Sequence, residues 1–195
     1  MRVAFWTWAI VLFVTATSLM AAHLYALPKP ADDDALLASS LNGLRSKTER
    51  GWLAVHVLYA ECRCSRRILS HLAIDARPRG VSEKLLLVGA NPELEPELSR
   101  ISGRGFEIIR TTSTELRERF HVQAVPLLLV LGPDGVVRYS GGYTERKQGL
   151  DVRDRQIIVG LIENRPAPEL PVFGCAVSKE LQRLLDPLAL KARSP

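Results

Sequence analysis

The pattern of apolar and polar positions divides the chain into an uncharged stretch and an alternating remainder. From Val3 to Leu27, 25 residues, there is no Asp, Glu, Lys or Arg. Roughly 20 such residues cross a bilayer as a helix, so residues 1–27 are expected to be a transmembrane anchor or a signal sequence. Arg2 precedes the stretch, whereas Lys29 is followed by Asp32-Asp33-Asp34, a bias that favours a cytoplasmic N-terminus. Ala16-Thr17-Ser18 would serve as a small-residue cleavage site, but the apolar run continues past it, which favours an uncleaved anchor. Residues 28–34 then read as a hydrated spacer.

Beyond the spacer the periodicity switches repeatedly between helix and strand. Leu36, Leu37, Leu41 and Leu44 recur at helical spacing over Ala35 to Lys47, and Trp52 to Tyr59 is a buried strand. Ser65 to Leu72 is helical, Arg77-Pro78-Arg79-Gly80 is a turn, and Lys84 to Gly89 is a strand. Pro92 to Ile101 predicts a helix with proline in its first turn. Phe106 to Arg110 predicts a strand, and Ser113 to Phe120 a helix capped by Ser113 or Thr114. Leu127–Leu131 and Val136–Ser140 flank Gly132-Pro133-Asp134-Gly135 and form a hairpin. Asp151 to Glu163 predicts a closing helix. Residues 35–164 are therefore expected to form one α/β domain with a partly parallel sheet. Residues 165–195 follow as a Pro-rich tether, extended at about 3.1 Å per residue, and a helix over Ser178 to Asp186.

Composition changes this picture little. With 195 residues and 47% hydrophobic residues, one core beside the appendages is expected. The net charge of +5 is spread over Arg-rich helices without any nucleic-acid motif, so no nucleic-acid partner is expected.

The chemistry lies in three cysteines, Cys62, Cys64 and Cys175. An odd and sparse set argues for redox or metal chemistry rather than a disulfide scaffold. Cys62-Arg63-Cys64 falls at a strand end and a helix start, where the helix dipole and Arg63, Arg66 and Arg67 favour thiolate. A disulfide between Cys62 and Cys64 would close a small, strained ring and be oxidising. Cys175, on its tether, is the other thiol able to fold back over the motif.

The order strand, thiol motif, helix, strand, helix, strand, helix, Val-Pro, hairpin, helix resembles the thioredoxin fold over about residues 35–164. The additional helix and strand around Pro92 to Arg110, with the N-terminal anchor, resemble extracytoplasmic thiol–disulfide proteins of the TlpA/ResA type. Phe120 to Pro126, and Gly132-Pro133-Asp134-Gly135 followed by Gly141-Gly142, are similar to that family's cis-proline segment and hairpin. The motif departs from the usual Trp-Cys-x-x-Cys: Glu61 takes the Trp position, and Ser65 stands where the second cysteine would be. Cys62-Arg63-Cys64-Ser65, Ser140-Gly141-Gly142 and Pro171-Val172-Phe173-Gly174-Cys175 are similar to a membrane-anchored thioredoxin-like group with Cys-Pro-Cys-Ser.

The resemblance implies a thioredoxin-like fold, a central mixed sheet flanked by helices, with Cys62 as the attacking thiol. Cys64 or Cys175 resolves the mixed disulfide. Pro126 is implied to be cis, with Val125 offering its backbone to a substrate peptide. His56 falls where the family keeps a buried acid that relays protons to the resolving thiol, a role a histidine could take; the reading as a satisfied core or edge histidine is favoured over it. His71, His121 and Glu61 read as surface or capping residues. The expected activity is thiol–disulfide exchange on cysteines of exported proteins, from a single-pass protein of the inner or cytoplasmic membrane with its domain in the periplasm or cell exterior. No cofactor is expected on that reading. One alternative is a metallochaperone holding Cu(I) through Cys62, Cys64 and Cys175, since Cu(I) favours soft thiolates. Another is a non-catalytic adaptor binding peptides beside Pro126.

Overall fold

The computed structural model describes residues 2–24, 26–147 and 149–185. Helix α1 (Arg2–Leu24) is 23 residues long, about 35 Å at the standard helical rise. Its side chains are described over residues 4–17, where Phe5, Trp6, Trp8 and Phe13 are 61–69% exposed. Among the described residues no helix is long and apolar enough to cross a membrane.

The remaining elements follow in the expected order: α2 (Ala35–Asn42), β1 (Trp52–Tyr59), α3 (Arg63–Ile74), β2 (Val81–Val88), α4 (Glu95–Gly103), β3 (Glu107–Thr111) and α5 (Ser113–Phe120). Then come β4 (Ala124–Val125), β5 (Leu127–Leu131), β6 (Val137–Gly141), α6 (Asp154–Ile162), β7 (Cys175–Ala176) and α7 (Lys179–Leu185). Five strands form one sheet in the order β3-β2-β1-β5-β6, and β4 pairs with β7 in a small second sheet. The β1–β2 and β2–β3 pairs are parallel because α3 and α4 cross over between them, whereas β1–β5 and β5–β6 are antiparallel. This mixed α/β sheet with flanking helices is consistent with a thioredoxin-like fold.

Alternation along β1 places its side chains in two cores. Leu53, Val55 and Val57 pack toward Leu37 and Leu41 of α2 and Leu116 and Phe120 of α5. Ala54 and Leu58 pack toward Ile68, Leu69 and Leu72 of α3 and Ile157 and Ile158 of α6. Each fully buried leucine contributes about 1.5–3 kcal/mol, so both faces hold the strand that leads into the thiol motif.

Local chemistry sets the boundaries. Asp34 caps α2, accepting from the N–H groups of Leu36 (2.9 Å) and Leu37 (3.1 Å). The α5 cap is Thr112, one residue earlier than expected, whose hydroxyl accepts from the Glu115 N–H at 3.1 Å. His121 ends α5 in the left-handed region with φ 53°, and its ring bonds Asp34. The expected helix from Pro92 opens as a single 3₁₀ turn, Pro92–Leu94, before α4. β2 starts at Val81, three residues before the expected Lys84. The last residue of the expected anchor and the segment read as spacer lie against the domain: Leu27 N–H donates to the Val172 carbonyl (2.8 Å), Lys29 Nζ to the Ser140 carbonyl (2.8 Å), and Ser140 Oγ to the Pro30 carbonyl (3.0 Å). Ser178 caps α7, accepting from the Leu181 N–H at 3.1 Å; Asp186, the expected end of that helix, lies outside the described residues.

Candidate functional site

β1 delivers the chain to Tyr59, a turn held by the Cys62 N–H to Tyr59 carbonyl bond (3.0 Å) reverses it, and Cys62 becomes the N-cap of α3. Its carbonyl accepts from the Arg66 N–H at 2.9 Å, starting the helix. Cys62 is 2% exposed and makes no side-chain cap bond, because its sulfur is joined to that of Cys175. The two Cα atoms are 6.2 Å apart across 113 residues of sequence, within the span a disulfide allows. Cys64, in the first turn of α3, is half-buried and its thiol is free. Ser65 beside it is fully buried, with a hydroxyl that has no hydrogen-bond partner among the described residues.

The Val125–Pro126 peptide is cis. β4 ends on Val125, and β7 lies antiparallel to it with Val125 opposite Cys175 and Ala124 opposite Ala176. The approach is close enough that only glycine fits before the cysteine: a Cβ on Gly174 would lie 1.9 Å from the Val125 carbonyl oxygen and 2.5 Å from Pro126 Cδ. A second close approach occurs at Gly142, whose added Cβ would lie 2.0 Å from the Pro171 carbonyl oxygen. Backbone bonds secure the segment at both ends, from Gly142 N–H to the Leu170 carbonyl (3.0 Å) and from Val177 N–H to the Gln123 carbonyl (2.8 Å). Leu170, Val172, Val177 and Leu181 are all buried, while Phe173 to Ala176 are half-buried. The tail thus crosses the face of the cis-proline and places its cysteine on Cys62.

Of the residues singled out by sequence, Cys62, Cys175, Val125 and Pro126 are brought together, and Cys64 lies two residues from Cys62 in α3. His56 is fully buried, with Nδ1 bonded to the Tyr143 hydroxyl (2.9 Å) and Nε2 to Glu83 Oε1 (3.3 Å). Both ring nitrogens are therefore engaged within the core. Glu61 accepts from the Tyr59 hydroxyl at 2.7 Å. Burial, then the Glu61 charge, pushes the Tyr59 phenol up to about 12. Among the described residues no group of three or more His, Cys, Asp or Glu is gathered as a metal site.

His56 belongs to a buried ionic chain that sequence reasoning missed. Arg77 Nε donates to Glu83 Oε2 (2.9 Å) and Arg77 Nη1 to Asp154 Oδ2 (2.7 Å), with the guanidinium also 5.4 Å from the Phe106 ring centroid. His71, expected on the surface, closes the chain instead through Nε2 to Asp154 Oδ1 at 2.9 Å. Asp154 is fully buried. Burial raises its pKa, but the His71 hydrogen bond and the Arg77 charge outweigh burial and hold it below the ordinary 3.8. Glu83 is likewise raised by burial and lowered more strongly by bonds from Arg77 and His56, ending below 4.5. Gly174 had one signal in the sequence, its place in the Pro171-Val172-Phe173-Gly174-Cys175 segment. Glu83 had a signal too, since strand alternation puts it on the same face as Leu85 and Leu87.

No family model matches the chain, and no curated protein matches it. Among solved structures it is similar to an uncharacterised conserved protein from Geobacillus kaustophilus, with 20% identity and TM-score 0.49 over 66% of this chain and 77% of that one. It is also similar to StoA from Bacillus subtilis, with 13% identity and TM-score 0.35 over 48% of this chain and 75% of that one. The thioredoxin domain of a thiol-disulfide oxidoreductase from Bacteroides vulgatus shows 12% identity and TM-score 0.36 over 46% of this chain and 68% of that one.

Proposed function

We propose that the protein is a membrane-anchored thiol–disulfide oxidoreductase of the TlpA/ResA type, whose redox couple is Cys62 with Cys175 and whose substrates are cysteines of exported proteins. The observation that carries the reading is the bond from Cys62, at the N-cap of α3, to Cys175, held opposite Val125 beside a cis-proline. A cysteine at a helix N-terminus is readily released as thiolate, because the dipole and the free N–H groups stabilise its charge. The bond between it and a second cysteine is therefore exchangeable. Two substrate thiols reduce it in two steps: the first thiolate forms a mixed disulfide and expels one protein thiolate, and the second displaces the first as a substrate disulfide. Two electrons pass to the Cys62–Cys175 pair, and the reverse sequence reduces a substrate disulfide.

The anchor supports the compartment. The uncharged residues from Val3 to Leu24 suffice to span a bilayer, and Arg2 before them favours a domain outside the cytoplasm, where disulfides persist.

The test uses the full chain in detergent micelles at substoichiometric concentration, in a glutathione buffer, on a reduced and unfolded exported protein that needs disulfides to refold. The wild-type protein and Cys64→Ser are expected to accelerate refolding, and Cys62→Ser and Cys175→Ser to leave it at the uncatalysed rate. A wild-type rate no faster than either of those two variants contradicts the reading. Tight, stoichiometric Cu(I) binding by the reduced protein without catalysed exchange would transfer the three thiols to metal carriage instead.

A further inference from the structure

Resting on that reading, we infer that the substrate-facing thiol is Cys175 and that Cys62 is the buried leaving thiolate, the reverse of the order implied by resemblance. Three features of the site carry this. Cys62 is 2% exposed, while Cys175 is half-buried in a segment, Phe173 to Ala176, that is itself half-buried. The Cys175 side of the disulfide is therefore the less buried of the two. An incoming thiolate attacks along the sulfur–sulfur axis and needs an open approach to the sulfur it strikes, so access selects Cys175.

The second feature is the leaving group. Attack at Cys175 expels Cys62, and a thiol with a stabilised thiolate leaves faster. Cys62 is the N-cap of α3, and an N-cap side chain accepts from the N–H groups two and three residues on, here those of Cys64 and Ser65. In the disulfide Cys62 makes no such bond, so both donors become available to it as the thiolate forms. The unpartnered buried hydroxyl of Ser65 belongs to the same turn. Attack at Cys62 would instead expel Cys175, which lies on a two-residue strand and is not itself the cap of a helix.

The third feature is the fit of the tail. Leu170 and Val172 on one side and Val177 and Leu181 on the other are buried, and Gly174 lies flush against the Val125–Pro126 peptide. The edge of β4 is thus filled by β7, and an extended substrate segment has no place beside Pro126 while the tail is docked. Val125 and Pro126 seat the tail, and the substrate meets the tail's cysteine. The first step forms a bond between the substrate sulfur and Cys175 Sγ, breaks the Cys62–Cys175 bond, and leaves Cys62 as thiolate. A second substrate thiolate then takes the first as a substrate disulfide and releases Cys175 thiolate.

The test treats the oxidised full chain, carrying Cys64→Ser to remove the third thiol, with reduced glutathione. The reaction is quenched with acid at the shortest accessible times, remaining thiols are alkylated, and the adducts are mapped by mass spectrometry. Glutathione is expected on Cys175, with alkylated Cys62, in roughly 10-fold excess or more over the opposite product. In Gly174→Val, whose side chain cannot fit against the Val125 carbonyl, the tail undocks and the adduct shifts toward Cys62. Glutathione mainly on Cys62 in the Cys64→Ser protein, or an adduct pattern unchanged by Gly174→Val, overturns the inference while leaving the exchange activity standing. A disulfide inert to glutathione in the folded protein but reduced after unfolding overturns both.

Discussion

Replacing Cys175 with serine is expected to lower the stability of the folded domain by about 4–5 kcal/mol on the chain-entropy account, with about 2 kcal/mol as the lower figure. The Cys62–Cys175 bond closes a loop of 113 residues, and the entropy removed from the unfolded chain grows with loop length, though slowly. The loop contains nearly the whole sheet, from the end of β1 to β7, so the unfolded ensemble is restricted throughout the domain. The effect is read from guanidinium unfolding of the full chain in detergent micelles, with dithiothreitol-treated wild-type protein expected to match the variant. Cys64 is free, so Cys64→Ser should change stability by no more than about 0.5 kcal/mol. Equal midpoints for oxidised wild-type protein and Cys175→Ser would mean that the bond does not hold the tail in solution.

Asp154→Asn is expected to cost about 3–5 kcal/mol, the usual effect of removing one partner from a buried pair. Arg77 is its partner at 2.7 Å, with only 9% of the Arg77 side chain exposed. Neutralising Asp154 leaves the guanidinium with Glu83 alone and weakens the bond from His71. Removing the exposed carboxylate of the Arg119–Glu115 pair, where the side chains are 52% and 37% exposed, should cost about 1 kcal/mol or less. The same carboxylates set the acid limit. Asp154 and Glu83 have folded pKa values below their ordinary 3.8 and 4.5, so the stability they confer is fully present above that range. It is lost as the pH falls through the lower folded values. Glu49, held down to about 2 first by the Ser82 hydroxyl and then by the Ser46 N–H, acts in the same direction. Unfolding midpoints measured from pH 6 downward should therefore fall below about pH 4.5, and less steeply in Asp154→Asn. A variant as stable as wild type, with the same acid slope, would show that the chain of charges contributes nothing net.

Most of the fold was legible because its signals are local. Apolar runs marked β1, β5 and β6, and Gly132-Pro133-Asp134-Gly135 marked the hairpin turn between the last two. Cys62 at the junction of β1 and α3 placed a thiol at a helix start. The β2 boundary slipped because polar residues ahead of the expected Lys84 are held by pairing: Ser82 donates to Glu49, and Glu83, 7% exposed, is bonded by Arg77 and His56. The site was half legible. Cys175 was visible as a third thiol on an extended tether, yet no periodicity announces a two-residue strand pairing with Val125 some 50 residues earlier. The ionic chain was invisible for the same reason. His56, His71, Arg77, Glu83 and Asp154 come from separate elements or turns, and no spacing within any one of them reveals their meeting.

One equilibrium measurement tests directly whether Cys62 and Cys175 are the working redox pair. The full chain is brought to equilibrium in glutathione buffers of graded ratio, its thiols are trapped, and the linked peptides are mapped. The prediction is a Cys62–Cys175 linkage that opens and closes in a single two-electron transition while Cys64 stays alkylated throughout. A Cys62–Cys64 linkage in its place, or a Cys62–Cys175 bond that ignores the buffer across the whole series, would contradict it.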